Sequence, residues 1–321
     1  MRSHHLPHAL LTMLLAVQPL HAQSHDPSQA HSAPACSRQC LYDVLNEYLA
    51  ALKAQAPERA PWAAGARYTE NNVELAPGRG LWRTVSGLGS YDLRFADPST
   101  GEVAFYGVVD ETVAASPFAL RLKVTRGRIT EAETIIARPQ DAGVPFVKAK
   151  LTPRPEMSEV LPPAERMPRA KMIAIANGYF DTLQRNDGRL HTAFEDDCNR
   201  REDGMQTTNN PNPEYPNMAL GCAAQFKLGI YRYDDELRAR RFPLVDEERG
   251  IVLAAGFIDH SGHLGEYTLT DGRKATSMYR RPHSFCLLEA FKIRAGKIQA
   301  IEAVFTSVPY GMPSPWVTSH P

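Results

Sequence analysis

The sequence lacks an excess of charge of either sign. Lysine and arginine together number 36, as do aspartate and glutamate, so the formal net charge is zero with neutral histidines. A strongly basic surface is what draws a protein to nucleic acid or to an acidic membrane by bulk attraction. Its absence argues against nucleic acid and membrane as partners and favours a small molecule.

The motifs of several common catalytic and cofactor sites are also missing. The chain contains no HExxH, no paired CxxC, no glycine-rich phosphate loop and no GxSxG elbow. The stretch "HSGH" at residues 260–263, beside Asp259, has a spacing that is not a strong metal signature. We therefore expect neither a metal nor a cofactor.

Long apolar runs are scarce. No segment approaches the roughly 18 apolar residues of a transmembrane helix. Arg2 and several histidines precede the apolar run 9–17 and the small residue Ala22, a layout typical of a secretory signal peptide at residues 1–22. Residues 23–35 are polar and contain proline, which predicts a disordered leader. We expect an exported protein, periplasmic or extracellular.

Cysteines are few, and all five follow the predicted signal peptide. Disulfides persist in oxidising compartments. Cys198 and Cys222 flank a loop rich in Asn and Pro, and a bridge closing these about 24 residues would contribute about 3 kcal/mol, so we predict that pair. Cys36 and Cys40, four apart at the start of a predicted helix, could form a bridge or hold a metal. Cys286 lies in an apolar strand and is predicted to be a buried thiol.

What the sequence does contain is a repeat. "LRLKVTRGRITEAETIIAR" (120–138) and "AFKIRAGKIQAIEAVFTS" (290–307) each predict a strand, a tight turn and a second strand. Amphipathic helices precede both hairpins, because apolar residues recur there at intervals of three and four. The upstream counterparts are helices at 41–55 and 169–187, matching segments at 67–75 and 199–207, and strands at 101–111 and 250–260.

This repeat predicts two α+β domains in tandem, each a long helix, a short helical or loop region and then about four strands that end in a hairpin. The second copy carries two insertions, at 209–218 and 261–284, and long loops on a rigid frame are where function tends to lie. The predicted segments are a first domain at 36–138, a proline-rich linker at 139–168, a second domain at 169–310 and a tail at 311–321.

A helix followed by a strongly curved antiparallel sheet resembles the nuclear transport factor 2-like (SnoaL-like) superfamily. The stretches "CSRQCLYDVLNEYLAAL", "YTENNVEL", "GLWRTVSGLG", "CNRREDGMQTTNNP", "GCAAQF" and "RRFPLVDEERGIVLAAGFIDH" look like a tandem subfamily of exported bacterial proteins. The resemblance spans about residues 36–310. It implies two tandem cone-shaped α+β barrels, each a long helix packed on a curved antiparallel sheet that opens at one end into a pocket.

The same superfamily suggests a chemistry. Diarylpropane lyases that release formaldehyde from lignin-derived aromatic dimers, without a cofactor, are similar in superfamily and in substrate style. No short motif of theirs is matched in this chain, so the resemblance transfers no catalytic residue. It implies only that a cofactor-independent reaction of an aromatic substrate is compatible with the fold.

Three residues of the second copy are candidates for proton transfer. Asp259 and His260 end an apolar strand, and a histidine titrates near neutrality. Neighbours in a strand point to opposite faces, so only one of the two can face the cavity. Glu202 could act as a general acid or base if an apolar cavity raises its pKa. Its counterpart Glu70 in the first copy leaves a structural role equally open.

Aromatic rings and arginines suggest a surface for substrate. Such groups bind a planar aromatic or carboxylated ligand through stacking and charge. The alternative is that Trp82 simply plugs the barrel. The predicted substrate-binding residues are Tyr68, Glu70, Trp82, Arg83, Tyr91, Tyr106, Tyr179 and Arg201.

Three functions remain open from the sequence. The first is a cofactor-free lyase or isomerase acting on a small aromatic or hydrophobic molecule. The second is an exported carrier whose polar pocket residues only satisfy hydrogen bonds. The third is a pairing module, in which each sheet packs against the other copy or against a second chain as a homo-oligomer.

Overall fold

A computed structural model describes residues 36–317. The predicted signal peptide and the predicted leader lie outside the described residues, as do the last four residues of the tail. Within the described range, no helix has the length and apolar character needed to cross a membrane.

In each half of the chain the predicted long helix comes before the strands and the predicted hairpin comes last, but the strands number more than the four expected. The first half contains α1 Arg38–Lys53, β1 Trp62–Glu70, β2 Val73–Leu75, α2 Leu81–Thr84, β3 Val85–Leu88, β4 Leu93–Asp97, β5 Glu102–Glu111, β6 Ala115–Thr125 and β7 Arg128–Ile136. The remainder contains α3 Pro155–Ser158, α4 Arg169–Arg185, β8 Phe194–Glu202, β9 Met205–Gln206, α5 Cys222–Leu228, β10 Glu236–Asp246, β11 Ile251–His260, β12 Glu266–Thr268, β13 Lys274–Thr276, β14 His283–Arg294 and β15 Lys297–Val308.

The architecture is α+β, with few helices and two large curved sheets. The first sheet has the order β2-β1-β7-β6-β5-β3, with β4 also paired to β5, and the second has β10-β11-β14-β15-β8-β9. The pairs β1–β7 and β8–β15 are parallel, and the other pairs within these sheets are antiparallel. The strands that correspond in sequence therefore occupy the same place in each sheet, and neither sheet closes on itself.

Each long helix packs on one face of its own sheet. Ser37 caps α1 by accepting a hydrogen bond from the backbone N–H of Cys40 at 3.2 Å. The buried positions recur at intervals of three and four, which places them on one stripe of each helix. These residues are Leu41, Leu45, Tyr48 and Leu52 in α1, and Met172, Ala176, Tyr179 and Leu183 in α4.

The opposite faces of the two sheets pack against each other. Because side chains alternate along a strand, every second residue points away from the helix of its own half. Those residues form one shared apolar layer. It includes Phe95 and Tyr106 from the first sheet, Tyr91 from the segment before β4, and Leu244, Leu253 and Leu288 from the second sheet.

Two counterpart aspartates join the sheets reciprocally. Asp97 accepts a hydrogen bond from the backbone N–H of Val245 at 3.0 Å, and Asp246 accepts one from the N–H of Ala96 at 3.2 Å. Ala96 and Asp97 occupy the same positions in the first copy as Val245 and Asp246 in the second. Residue i of one copy contacting residue j of the other, and the reverse, is the pattern of an isologous interface.

The first residues of the two long helices repeat that pattern. Arg38 of α1 pairs with Asp246 at 2.5 Å, and Arg169 of α4 pairs with Asp97. Each helix of one half is therefore tied to the sheet of the other half.

The proline-rich linker is irregular apart from α3 and one 3₁₀ turn at Pro163–Glu165. It is nevertheless packed: Met157 and Leu161 are buried, and Arg154 donates to a carboxylate oxygen of Glu302 at 2.9 Å. The linker thus contributes to the core instead of spanning solvent as an extended strap.

The predicted bridge between Cys198 and Cys222 is confirmed, with Cα atoms 5.8 Å apart. It ties the start of α5 to β8. Cys36 and Cys40 also form a disulfide, which decides between the two alternatives that their spacing left open. Cys286 is a buried thiol in β14, and burial raises its pKa to about 12.

Candidate active site

A cavity of about 580 Å³ lies on the helix side of the second sheet. Strands β8, β11, β14 and β15 supply its wall, and both insertions of the second copy contribute to its mouth. The lining is unusually aromatic, and aromatic cavities with a few polar groups are the common form of a small-molecule site. The aromatic rings include Tyr179, Tyr231, Tyr233, Tyr267, Tyr279 and Phe285.

A histidine–carboxylate pair lies in this cavity. His260, the last residue of β11, places Nε2 2.9 Å from Oδ1 of Asp234, and both side chains are buried. The imidazole stacks on the ring of His283, with ring centroids 4.6 Å apart. Burial raises the pKa of Asp234, and the hydrogen bond with His260 opposes that rise. The other ring nitrogen of His260, Nδ1, has no hydrogen-bond partner among the described residues.

Two carboxyl groups share a second part of the wall. Glu202 on β8 and Glu289 on β14 flank Ala303 of the intervening strand β15 in one row of the sheet, and both line the cavity. Burial raises the pKa of Glu289 to about 8, the negative charge of Glu202 adds to the rise, and the positive charge of Arg200 opposes it. Glu289 therefore carries a proton at neutral pH and can donate it.

Arg200 supplies a fixed positive charge beside these carboxyls. Its Nε lies 3.4 Å from a carboxylate oxygen of Glu202. The rest of the buried guanidinium is occupied by protein oxygens, so it orients its neighbours and leaves little donor capacity for a ligand. Its partners are Tyr179 Oη at 3.0 Å, Gln225 Oε1 at 2.6 Å, Thr207 Oγ1 at 3.1 Å and the hydroxyl of Tyr231.

Asp259 and Arg201 lie on the other face of the second sheet. Asp259 accepts hydrogen bonds from Arg238 Nε at 2.7 Å and from Ser284 Oγ at 2.5 Å. Arg201 donates to the carbonyl of Thr152 at 3.0 Å and stacks over Tyr91. Because both are strand neighbours of cavity residues, the alternation of side chains carries them away from the cavity.

The predicted aromatic binding surface of the first copy is dispersed by the fold. Tyr68 and Trp82 are buried in the core around α1, where Trp82 meets Tyr48 edge to face with centroids 5.0 Å apart. Tyr91 and Tyr106 belong to the layer between the sheets. Arg83 is exposed.

Glu70 is held by its own half of the chain. It accepts hydrogen bonds from the backbone N–H of Leu81 at 2.6 Å and from Tyr68 Oη at 3.0 Å, and it pairs with Arg138 at 3.0 Å. Of the predicted site residues, the structure thus brings together only His260, Glu202 and Tyr179.

Sequence reasoning missed Asp234, Glu289 and Arg200. A lone glutamate in the apolar strand "SFCLLEAFKI" is a signal, because a carboxyl at a core-facing position must be paired, protonated or functional. Asp234 lies in "YRYDDEL", a loop segment with no periodicity to place its side chain. No short motif connects any of these residues to His260.

The comparisons with known proteins bear on the second half of the chain. The model of a domain of unknown function, DUF8021, matches residues 165–305, the range that contains the cavity residues named above. No curated protein matches the sequence.

Similar solved structures each cover less than half of the chain. A protein of unknown function with a cystatin-like fold from Methylobium petroleophilum PM1 is 20% identical, covering 42% of this chain and 99% of its own with a TM-score of 0.28. A candidate ketosteroid isomerase from Kribbella flavida DSM 17836 is 16% identical, and the match covers 36% of this chain and 90% of its own with a TM-score of 0.28. An NTF2-like protein of unknown function from Cytophaga hutchinsonii ATCC 33406 is 10% identical, and the match covers 30% of this chain and 89% of its own with a TM-score of 0.26. At such scores these likenesses carry no functional argument.

Proposed function

We propose that the cavity of the second sheet is the active site of a cofactor-independent lyase or isomerase that acts on a small, uncharged aromatic or hydrophobic molecule. His260 is the general base, Asp234 orients it, and Glu289 is the general acid. Glu202 and Arg200 set the charge around that acid.

The observation that carries the proposal is the presence of two unlike titratable pairs in one cavity. The His260–Asp234 pair offers a proton acceptor, and Glu289 holds a proton because burial, to which the negative charge of Glu202 adds, raises its pKa to about 8. An acceptor and a donor on different strands of one rigid sheet can act on opposite ends of a bound molecule. A carrier needs hydrogen-bonded polar groups, but it has no need of a carboxyl whose pKa is raised to about 8.

An isomerisation uses these groups directly. Asp234 accepts a hydrogen bond from Nε2–H of His260, which leaves Nδ1 as the nitrogen that can take a proton from a substrate carbon. Glu289 gives its proton to the substrate oxygen on which negative charge develops. His260 then returns a proton to a different carbon while the O–H proton passes back to Glu289, which completes the shift of a double bond and restores both groups.

Release of formaldehyde is the more specific form of the proposal. His260 takes the O–H proton of a primary alcohol, its carbon leaves as formaldehyde, and the electrons of the broken C–C bond form a C=C bond. The C=C bond forms between the carbon that loses formaldehyde and its neighbour. The hydroxyl on that neighbouring carbon departs as water with the proton of Glu289. This balance needs no oxidant and no cofactor, and it suits a lignin-derived aromatic dimer.

The first experiment incubates the purified chain, without added metal or cofactor, with a panel of lignin-derived aromatic dimers. Formaldehyde and product masses are measured. We expect turnover that falls about 10²- to 10⁴-fold in His260→Ala and in Glu289→Gln, the usual cost of losing a general acid or base. His263→Ala is the matched control, because His263 is an exposed histidine three residues further along the chain.

The outcomes separate the enzyme from a carrier. Equal turnover in His260→Ala and the unmodified chain would overturn the assignment of the base. Thermal stabilisation by a dimer with no change in its mass would instead establish a ligand carrier.

The domain assignment belongs to the same proposal. We propose two nuclear transport factor 2-like domains, at 36–138 and 169–310, with a linker at 139–168, and an exported location. The matching strand orders support the first, and two disulfides, which persist in oxidising compartments, support the second.

A further inference from the structure

The turns after β1 and β8 are counterparts and share the same backbone bonds. Each begins with a residue in the left-handed region, Asn71 with φ of 48° and Asp203 with φ of 45°. Asn71 donates its backbone N–H to the carbonyl of Thr134 at 2.9 Å, and Asp203 donates its N–H to the carbonyl of Ala303 at 3.0 Å. Thr134 and Ala303 are themselves counterparts in the two sheets.

The side chains of these two residues meet counterpart backbone groups. The amide of Asn71 makes both possible bonds to Ile136: Oδ1 accepts from the N–H at 2.8 Å, and Nδ2 donates to the carbonyl at 3.3 Å. In the second copy, Oδ1 of Asp203 accepts from the N–H of Phe305 at 2.9 Å. The second oxygen, Oδ2, is buried and has no hydrogen-bond partner in the described part of the chain.

Oδ2 of Asp203 is the counterpart of Nδ2 of Asn71, which is a hydrogen-bond donor. The N–H and the carbonyl of one strand residue point to the same side of the strand. Oδ1 of Asp203 accepts from the N–H of Phe305 as Oδ1 of Asn71 accepts from that of Ile136, so the counterpart geometry places Oδ2 opposite the carbonyl of Phe305. Two acceptors cannot bond unless one of them carries a proton.

We infer that Asp203 is a protonated carboxylic acid at neutral pH, that its Oδ2–H donates to the carbonyl of Phe305, and that this bond positions the adjacent Glu202 in the cavity. Complete burial also raises the pKa of Asp203, against the lowering effect of the Phe305 N–H.

Among the described residues, the charge that acts on Asp203 is that of the Glu202 carboxylate, and no cation lowers the pKa of Asp203. The linker meets Asp203 through the backbone N–H of Lys148 at 2.9 Å, while the ammonium of Lys148 pairs with Glu214. The titratable groups whose charges couple with that of Asp203 are Glu202 on β8, Cys286 on β14 and Tyr279 in the loop before β14.

The turn carries part of the cavity wall, which makes Asp203 a positioning residue. Phe305 lines the cavity and meets Phe146 of the linker, with ring centroids 6.3 Å apart. Ionised Asp203 would set a carboxylate against a carbonyl at this place and add a negative charge beside Glu202. The inference rests on the proposed function only in assigning Glu202 a role in the cavity.

The test is a reciprocal exchange of the two residues, because the chain supplies its own control. Urea unfolding of the full, disulfide-bonded chain is measured from pH 5 to pH 8 for the unmodified protein, Asp203→Asn and Asn71→Asp. Asp203 has its pKa raised in the folded state, so the folded chain binds an extra proton above the ordinary pKa of 3.8 and loses stability as the pH rises.

We expect the unfolding equilibrium constant of the unmodified chain, relative to that of Asp203→Asn, to rise about tenfold per pH unit. Asn71→Asp should acquire the same dependence in the first copy. Asp203→Ala should be less stable than Asp203→Asn at every pH, because only the asparagine restores both bonds.

A spectroscopic measurement covers the case in which Asn71→Asp does not fold. The infrared C=O stretch of a protonated carboxyl should be lost from the unmodified spectrum at pH 7 in Asp203→Asn, and a separate one should be lost in Glu289→Gln. A pH-independent ratio of unfolding constants, or no protonated-carboxyl band assignable to Asp203, would overturn the inference. Neither readout depends on turnover, so a failure of the proposed function leaves the result on Asp203 interpretable.

Discussion

The two halves of the molecule share a frame but differ in what fills it. Around α1, Tyr48, Tyr68 and Trp82 pack into a continuous apolar core on the first sheet. On the same face of the second sheet, a cavity of about 580 Å³ opens beside α4. Both helices present a tyrosine edge to face to an aromatic ring, Tyr48 to Trp82 and Tyr179 to Phe226. The helix-to-sheet contact is therefore preserved, while the interior beyond it is not.

A few replacements at counterpart positions account for the chemistry of the cavity. The strand registers place Arg200 where the first copy has Tyr68, and Glu289 where it has Leu120. Ala303 stands in place of Thr134, which gives space between the two carboxyls. Leu120 is thus replaced by an ionisable group without a change in strand order, while the glutamate of that row, Glu70 or Glu202, is present in both sheets. The same strand order can thus support an apolar core in one half and a cavity in the other.

The largest expected effect on the free energy of unfolding comes from removing a large side chain from the apolar core around α1. Trp82→Ala should lower the free energy of unfolding by about 3–5 kcal/mol, because a completely buried indole leaves a cavity. Urea unfolding measures this, with Arg83→Ala as control because the neighbouring arginine is exposed. The control should stay within about 0.5 kcal/mol of the unmodified chain. A loss below about 1 kcal/mol for Trp82→Ala would mean that the core around α1 is not tightly packed at this residue.

The two disulfides offer the next comparison, one in each half. The bridges span sequence separations of 24 for Cys198–Cys222 and 4 for Cys36–Cys40. Loop-closure entropy predicts losses of about 3 and about 2 kcal/mol when each pair is replaced by alanine. Removing Cys198–Cys222 should also loosen α5, which carries Gln225 and so supports Arg200. Thermal unfolding of the two double variants provides the measurement, and a larger loss for the Cys36–Cys40 pair would contradict the entropic account.

The two hairpins and the two long helices could be predicted from the sequence because their signals are local. Alternating apolar residues and the turns at Gly127 and Gly296 define the hairpins, and the three-to-four spacing defines α1 and α4. Cys198–Cys222 was predictable because the two cysteines flank one loop. The insertions of the second copy were expected to carry function, and both contribute to the cavity lining.

The site itself could be predicted only in part, because it depends on register between distant strands. Glu202 and Glu289 are 87 positions apart by number (289 − 202) and meet only through β15. The aromatic residues of the first copy, such as Trp82, carry the same side chains whether they line a pocket or fill a core. Which of these occurs depends on the volume that the opposing residues leave free, and composition does not encode that volume.

Replacing Glu289 by leucine, the residue at the counterpart position 120, should have a smaller effect on the free energy of unfolding, and one that depends on pH. The pKa of Glu289 is raised to about 8 in the folded chain from the ordinary 4.5, so stability falls as the pH rises between those values. Between pH 6 and 7 we expect a loss of about 1.4 kcal/mol that Glu289→Leu abolishes. Urea unfolding of both chains in an Asp203→Asn background isolates this term. An unchanged slope would show that Glu289 is ionised in the folded protein, and the proposed general acid would be lost with it.

The smallest expected effect tests whether the interface between the sheets is symmetric. Arg38 and Arg169 are counterparts, and each pairs with a buried aspartate of the other half, Asp246 and Asp97. Each arginine is partly exposed, so its replacement by alanine should lower the free energy of unfolding by only about 1 kcal/mol. The two losses should be nearly equal, because each aspartate also keeps a backbone N–H partner from the opposite half.

The sharper readout is how the two losses combine. The two pairs share no side chain, so the double variant Arg38→Ala/Arg169→Ala should lose the sum of the single losses within about 0.5 kcal/mol. Arg83→Ala again serves as the exposed control. Unequal single losses, or a double loss well above the sum, would show that the two halves depend on each other unequally. Near-equal additive losses would mean that the two sheets meet through equivalent surfaces. The half with the apolar core and the half with the cavity would then differ only on the sheet faces turned towards α1 and α4.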